Sequence, residues 1–253
     1  MYEKQIDELH QKLSALPPLS KSSLERLMKE FMVSYTYNSN AIEGSTLTER
    51  ETYMVLNDGL GISGKELKYQ MDAVGHKNAY ELIREKASGG GELNEGFIKE
   101  MHSRVLMAAP DAAGNYRDVP VHISGSDAVL TAPENVPQEL RRLLEDFRNQ
   151  MQSWHISRRI AVFHLRFENI HPIIDGNGRT GRLLLNFELL KNGFPPVDFK
   201  YNDRARYYDC FRAYEKGDEL SMIYLVQDYM RQVLQQRISQ VEIAMRIQNQ
   251  PAR

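Results

Sequence analysis

His171-Pro172-Ile173-Ile174-Asp175-Gly176-Asn177-Gly178-Arg179-Thr180-Gly181-Arg182 is the stretch whose reading decides the fold. It opens on an imidazole, which at its ordinary pKa can take a proton near neutral pH. A carboxylate, two glycines and an amide follow, a composition suited to a turn whose backbone N–H groups face an anion. The apolar pattern of residues 183–190 then predicts a helix, with Arg179 and Arg182 one turn apart on the same side. The first N–H groups of a helix have no internal partners and sit at the positive end of its dipole. A base, a metal-type carboxylate, an amide cradle and two guanidiniums suit a polyphosphate.

Outward from this stretch the pattern is helical. Upstream, Ile160, Ala161, Phe163, His164 and Phe167 mark the inner face of a helix over about 157–170 that delivers His171 at its end. Its neighbour carries Val136, Leu140, Leu143, Leu144 and Phe147. Residues 3–15 form a modest helix stopped by Pro17-Pro18, and Ser20 to Ser23 offer caps for one that ends at Gly44. Thr48 with Glu51, and Ser63 with Glu66, have the spacing of capping boxes, the second opening a long helix to about Ala87. Further helices are expected over about 94–108, 203–216 and 220–247. Only residues 110–134 differ: Val119, Val121 and Ile123 alternate with Pro120 and His122, and Gly125-Ser126-Asp127 can turn, so a short β-hairpin is expected. The first 45 residues read as an accessory helical segment, and 46–253 as the core with its C-terminal helices.

Composition narrows the class. The 253 residues support a sizeable core, and 32 basic against 34 acidic side chains give no general field for nucleic acid. One cysteine, Cys210, excludes a disulfide framework and fits a reducing compartment. No run long enough to span a membrane and no secretory segment is legible, so a cytoplasmic protein without membrane partner is expected. Residues 59–65 have P-loop spacing up to Lys65, but Glu66 stands where a metal-ligating hydroxyl is needed.

The stretch from His171 to Arg182 resembles the signature of the Fic family, His-Pro-Phe-x-Asp-Gly-Asn-Gly-Arg-x-x-Arg, departing only at Ile173, where an apolar side chain should point inward. The resemblance is strongest over about residues 94–218. It implies a mainly α Fic-fold bundle with one short hairpin, the flap, and a transferase that moves AMP from ATP, with Mg²⁺, to a Ser, Thr or Tyr hydroxyl of a target protein. His171 would be the general base and Asp175 the Mg²⁺ ligand. The backbone N–H groups of Gly176, Asn177, Gly178 and Arg179, with the Asn177 amide, would stabilise charge on the phosphates, and Thr180 and Gly181 belong to the same nucleotide-binding stretch. Arg179 would clamp the β/γ side and Arg182 would meet the γ-phosphate. Gly178 stands where the phosphorylating toxins of the family carry Lys, which favours AMP transfer.

A second resemblance lies upstream. Ser39-Asn40-Ala41-Ile42-Glu43-Gly44 is similar to the family's inhibitory pattern, Ser/Thr-x-x-x-Glu-Gly/Asn, and implies that Glu43 ion-pairs Arg182 and inhibits in cis. Gly114-Asn115-Tyr116-Arg117 and Val119, Val121 and Ile123 resemble the flap, which docks the target as an added strand; Val121 could also cover the nucleotide. Tyr207-Tyr208 stand where an aromatic often lines the adenine, with Tyr208 as the candidate and a core role for one of the pair at least as open, while Glu215 replaces a usual Asn. His164 reads as a core histidine rather than a metal ligand. Three alternatives stay open: removal of AMP, another nucleotidyl or phosphoryl transfer, and an idle scaffold. The target could be the protein itself, and the exposed helices leave a homodimer open.

Overall fold

The computed structural model describes residues 2–122 and 129–248, and these are mainly helical. Ten α-helices follow in order: α1 (Tyr2–Ala15), α2 (Lys21–Ile42), α3 (Glu49–Tyr53), α4 (Leu67–Ser88), α5 (Glu95–Val105), α6 (Val136–Arg148), α7 (Ile156–Ile170), α8 (Asn177–Lys191), α9 (Arg204–Tyr214) and α10 (Leu220–Gln248). Each buries the stripe its sequence pattern provides. α8 is buried nearly all round and runs through the middle, packed between α4 and α7, with α2 and α5 alongside. Such a helix has almost no solvent face, so its polar side chains must find partners inside the protein. α10 covers α7 and carries α1 on its other flank.

Side-chain caps fix several helix starts. Ser20 accepts from the Ser23 N–H, Asn94 from the Phe97 N–H, and Thr48 with Glu51 forms the expected capping box. α3 then widens into a π-turn, Met54–Asp58. The Ser63/Glu66 box does not form. Gln70 instead reaches back, accepting from the Ile62 N–H and donating to the Ile62 and Lys65 carbonyls, which ties off residues 62–65 as a loop. Glu66 takes an extended ψ of 138° as the N-cap, and the long helix starts at Leu67.

α2 persists through Ser34-Tyr35-Thr36-Tyr37-Asn38-Ser39-Asn40, a run poor in helix formers, because tertiary contacts override local propensity. The Asn38 and Asn40 amides donate to the Ser34 and Thr36 carbonyls one turn back. Asn38 also donates to the buried Asp198 carboxylate and accepts from the Tyr201 N–H. Buried Ile6, Met32, Tyr35 and Ile42 belong to the same apolar cluster as Phe167, Phe187 and Leu225.

The expected hairpin over 119–130 is not shown. Residues 119–122 and 129–132 carry no strand, and Ile123, with the turn at Gly125-Ser126-Asp127, lies outside the described residues. No helix among the described residues is long and apolar enough to cross a membrane.

Candidate active site

α7 ends at His171, which caps it in the left-handed region at φ 48°, the one non-glycine residue with positive φ among those described. That conformation turns the chain sharply into the loop ahead of α8 and is costly for a side-chain-bearing residue. Arg117, 4% exposed, holds it there: its Nε donates to the His171 carbonyl at 2.7 Å and its backbone N–H to the Pro172 carbonyl at 3.0 Å. The same guanidinium donates to the carbonyls of Val119, Thr131 and Ile170. Gly114 donates its N–H to His102 Nδ1, so His102 carries its proton on Nε2 and donates to the Asp175 carbonyl at 2.9 Å.

The loop is braced from within as well. The Asn177 amide accepts from the Ile173 N–H at 3.0 Å and donates to the Ile173 carbonyl at 2.6 Å. It holds the turn's shape, which is a different task from the phosphate contact expected of it. Ile173 is buried, as expected, while Ile174 faces solvent. Gly176 supplies the second left-handed turn at φ 81° and the N-cap of α8, whose first N–H groups open the helix.

The charges around this turn are already paired. Asp175 accepts from its neighbour's Gly176 N–H at 2.6 Å and meets Arg179 at 3.3 Å and Lys68, from the first turn of α4, at 3.5 Å. Burial lifts this carboxyl, but Arg179, Lys68 and the Gly176 N–H outweigh burial and hold it below the usual carboxylate range. Arg179, 3% exposed, also pairs with Asp72 at 3.0 Å, so it faces inward and braces Asp175 from below. Arg182, 1% exposed, donates to the Ser39 hydroxyl and carbonyl, to the Tyr207 hydroxyl at 3.2 Å and to Glu43 at 2.9 Å. Glu43 caps α2 and sits against Gly178, where any Cβ would collide with its carboxylate. Thr180 is fully buried.

His171 faces this turn. Its Nδ1 lies 3.3 Å from the Glu168 carbonyl, which can only accept, so Nδ1 carries the proton and Nε2 keeps the lone pair. Burial pushes its pKa below the ordinary value, which keeps the ring neutral at physiological pH. His164 is fully buried, bonded through Nε2 to the Tyr207 hydroxyl at 2.7 Å and driven down to about 3 by burial. Tyr208 donates its hydroxyl to the Ile42 carbonyl at 2.9 Å, fastening the end of α2 beside the site. Val119 is exposed and Val121 half-buried.

The structure thus brings together His171, Asp175, the α8 N-terminus, Arg182, Glu43, Ser39 and Tyr208. Sequence reading missed the side-chain roles of Arg117, His102 and Lys68. Of these Arg117 alone left a signal, since it sits in the segment Gly114-Asn115-Tyr116-Arg117 already singled out.

Residues 92–189 match the Fic/DOC family. "Protein adenylyltransferase Fic" of Nematostella vectensis is 33% identical over 224 residues, 84% of this chain and 50% of the relative. "Protein adenylyltransferase fic-1" of Caenorhabditis elegans is 34% identical over 202 residues, 78% of this chain and 39% of the relative. The chain therefore spans half or less of the length of these curated relatives. Among solved structures, a Fic domain containing signaling protein from Bacteroides thetaiotaomicron superposes with a TM-score of 0.87 at 26% identity, covering 94% of this chain and 98% of that one. Fic-1 from C. elegans gives a TM-score of 0.87 at 29% identity, covering 96% of this chain and 72% of that one.

Proposed function

Because the chain carries a Fic domain, we propose that it is a protein adenylyltransferase, moving AMP from ATP to a Ser, Thr or Tyr hydroxyl of a target protein, and that Glu43 inhibits it in cis. The observation that carries this reading is a neutral imbedded base, His171, facing the open first turn of α8 while Glu43 occupies Arg182 from the other side. His171 Nε2 takes the hydroxyl proton as the oxygen bonds to the α-phosphorus, and the bond to pyrophosphate breaks. Such general-base help is worth roughly 10²–10⁴ in rate. The N–H groups at the start of α8 stabilise charge on the phosphates, and Asn177 and His102 keep the loop that presents them rigid.

Asp175 is the residue for Mg²⁺. It is half exposed, held ionised by its neighbours and stands at the anion-facing turn. Among the described residues no group of three or more His, Cys, Asp or Glu side chains could hold a metal unaided. That suits an ion that takes one or two carboxylates and completes its shell with phosphate and water oxygens. When bound it would neutralise phosphate charge. Arg182 is the cation for the γ-phosphate once Glu43 leaves. Until then a nucleotide is held out of line, and a misplacement of about 1 Å can cost roughly 100-fold. The segment after Gly114, pinned by Arg117, is the flap that docks the target, with Val119, Val121 and Ile123 as its docking positions; Tyr208 stands at the adenine side.

The reverse reaction is the second reading, because Glu43 is a third exposed beside Gly178 and could position a water for removing AMP. Incubation with ATP labelled at the α or the γ phosphate separates the cases. For the Glu43→Gly protein, α label on protein is expected, at a level on the order of 10² above wild type. Transfer of γ label alone would mean a kinase, no label with either variant a scaffold, and equal labelling of both proteins would remove Glu43 as inhibitor.

A further inference from the structure

Beneath His171 lies a carboxyl that the transfer chemistry above does not use. Glu168 precedes His171 by one helical turn and is 8% exposed; its Oε2 stands 3.9 Å from His171 Nδ1, the nitrogen that carries the ring proton. Its Oε1 is buried without a hydrogen-bond partner. A Cβ on Gly181 would come within 2.5 Å of that oxygen and 2.6 Å of His164 Nδ1, which also lacks a partner, so both atoms crowd the same point where α7 meets α8. Beyond His164 the contacts run on: His164 to the Tyr207 hydroxyl, that hydroxyl to Arg182, and Arg182 to Glu43. Arg182 can only donate, so Tyr207 accepts from it and gives its own proton to His164 Nε2. The neutral His164 ring then carries its proton on Nδ1, on the side where Glu168 Oε1 also approaches Gly181. Hydrogen bonds thus run from the inhibitory carboxylate to His164, and Glu168 stands between His164 and the base with no hydrogen bond closing the gap to His164.

We propose that Glu168 is the positioning carboxylate of His171 and that Glu43 governs its charge, so that one displacement of Glu43 both frees Arg182 and arms the base. The inference rests on the reading of His171 as the proton acceptor. Two carboxylates near one buried guanidinium do not ionise independently. Burial and then the Glu43 charge push the Glu168 carboxyl up to about 8, against the pull of Arg182, so it is largely protonated at neutral pH while Glu43 is in place. Withdrawing Glu43 removes the repulsion and leaves Arg182 to Glu168. The groups facing Glu168 are Glu43 at the end of α2, Arg182 from α8, Tyr207 and Tyr208 from α9, and His164 and His171 at its own helix. Those facing His171 are Arg117, Glu43 and Asp175 besides Glu168. An ionised Glu168 stabilises the imidazolium that forms as the target hydroxyl loses its proton, and so raises the basicity of Nε2.

The test uses the full chain carrying Glu43→Gly, with and without Glu168→Gln, which keeps the shape and cannot ionise. ¹⁵N-histidine NMR should show the His171 titration midpoint falling by about one unit in the Gln variant, the size expected on losing an opposite charge at this range. AMP transfer should lose about 10-fold in kcat with KM for ATP unchanged, a fraction of what a whole general base supplies. Glu168→Asp should restore part of both. An unmoved His171 midpoint overturns the proposal, as does a loss confined to KM. If the Glu43→Gly protein transfers nothing from ATP yet the midpoint still moves with Glu168, the transfer reading fails and the carboxylate assignment stands.

Discussion

A Cβ placed on Gly178 would collide with the Glu43 carboxylate and approach Arg182 Nη1 to 3.1 Å. The bare Cα is thus what lets Glu43 close on Arg182, besides leaving room for a nucleotide. Gly178→Ala is expected to push Glu43 off the guanidinium. Self-labelling with α-labelled ATP should rise toward that of Glu43→Gly, on the order of 10-fold or more, and adding Gly178→Ala to Glu43→Gly should bring no further rise. If Gly178→Ala labels less than wild type, the methyl obstructs nucleotide more than inhibitor. At this scale the sequence was generous where one local string held all the parts. The pairing of Glu43 with Arg182 was legible because both residues sit in patterned stretches. Glu168 was not, nor was the bond between the buried His164 and Tyr207, because these roles come from neighbours supplied by distant segments.

Among the elements, the segment after α5 shows what fixes a loop without a ladder. Residues 119–122 form no strand, yet Arg117 ties them, Thr131 and the His171 turn into one unit through five carbonyl contacts from its side chain and backbone. A planar fork can serve several acceptors at once, which an ammonium cannot. Arg117→Ala should leave the four carbonyls served by the side chain short of donors, at roughly 1–3 kcal/mol for each buried group left unpaired, while the backbone contact to Pro172 stays. A loss of at least about 2 kcal/mol in urea unfolding is expected, with faster amide exchange over residues 114–122 and 171–175, and Arg117→Lys should rescue little. Unchanged exchange at 171–175 would show that the loop holds its own shape. Periodicity located the helices well, including the end of α8, although α8 begins at Asn177, ahead of its apolar pattern at 183–190. It misplaced the start of α4, because Gln70 closes the preceding loop by a contact that a capping pattern does not contain.

For the whole molecule, the question is whether the first 45 residues can be separated from the rest. α1 packs along α10, and α2 lies on α4 and α8. Ile6 and Tyr35 are almost completely buried in the common apolar cluster. Asp198, on the segment after α8, is buried against α2 and relies on it for two partners, the Ser34 hydroxyl at 2.8 Å and the Asn38 amide at 2.9 Å, leaving only the partly exposed Lys200. Arg182 would lose Ser39 and Glu43 together and stay buried with Tyr207 alone. Removing α1 and α2 therefore strips apolar cover worth about 1.5–3 kcal/mol for each large side chain it buries, and leaves a buried guanidinium and a buried carboxylate short of partners. The sum exceeds the margin of about 5–15 kcal/mol that a domain has to lose. A chain starting at residue 46 is expected to give no cooperative thermal transition and no transfer from ATP, whereas Glu43→Gly in the full chain melts cooperatively and transfers AMP. A truncated protein that melts sharply and labels as strongly as Glu43→Gly would show instead that α2 is a detachable inhibitor resting on a core complete without it.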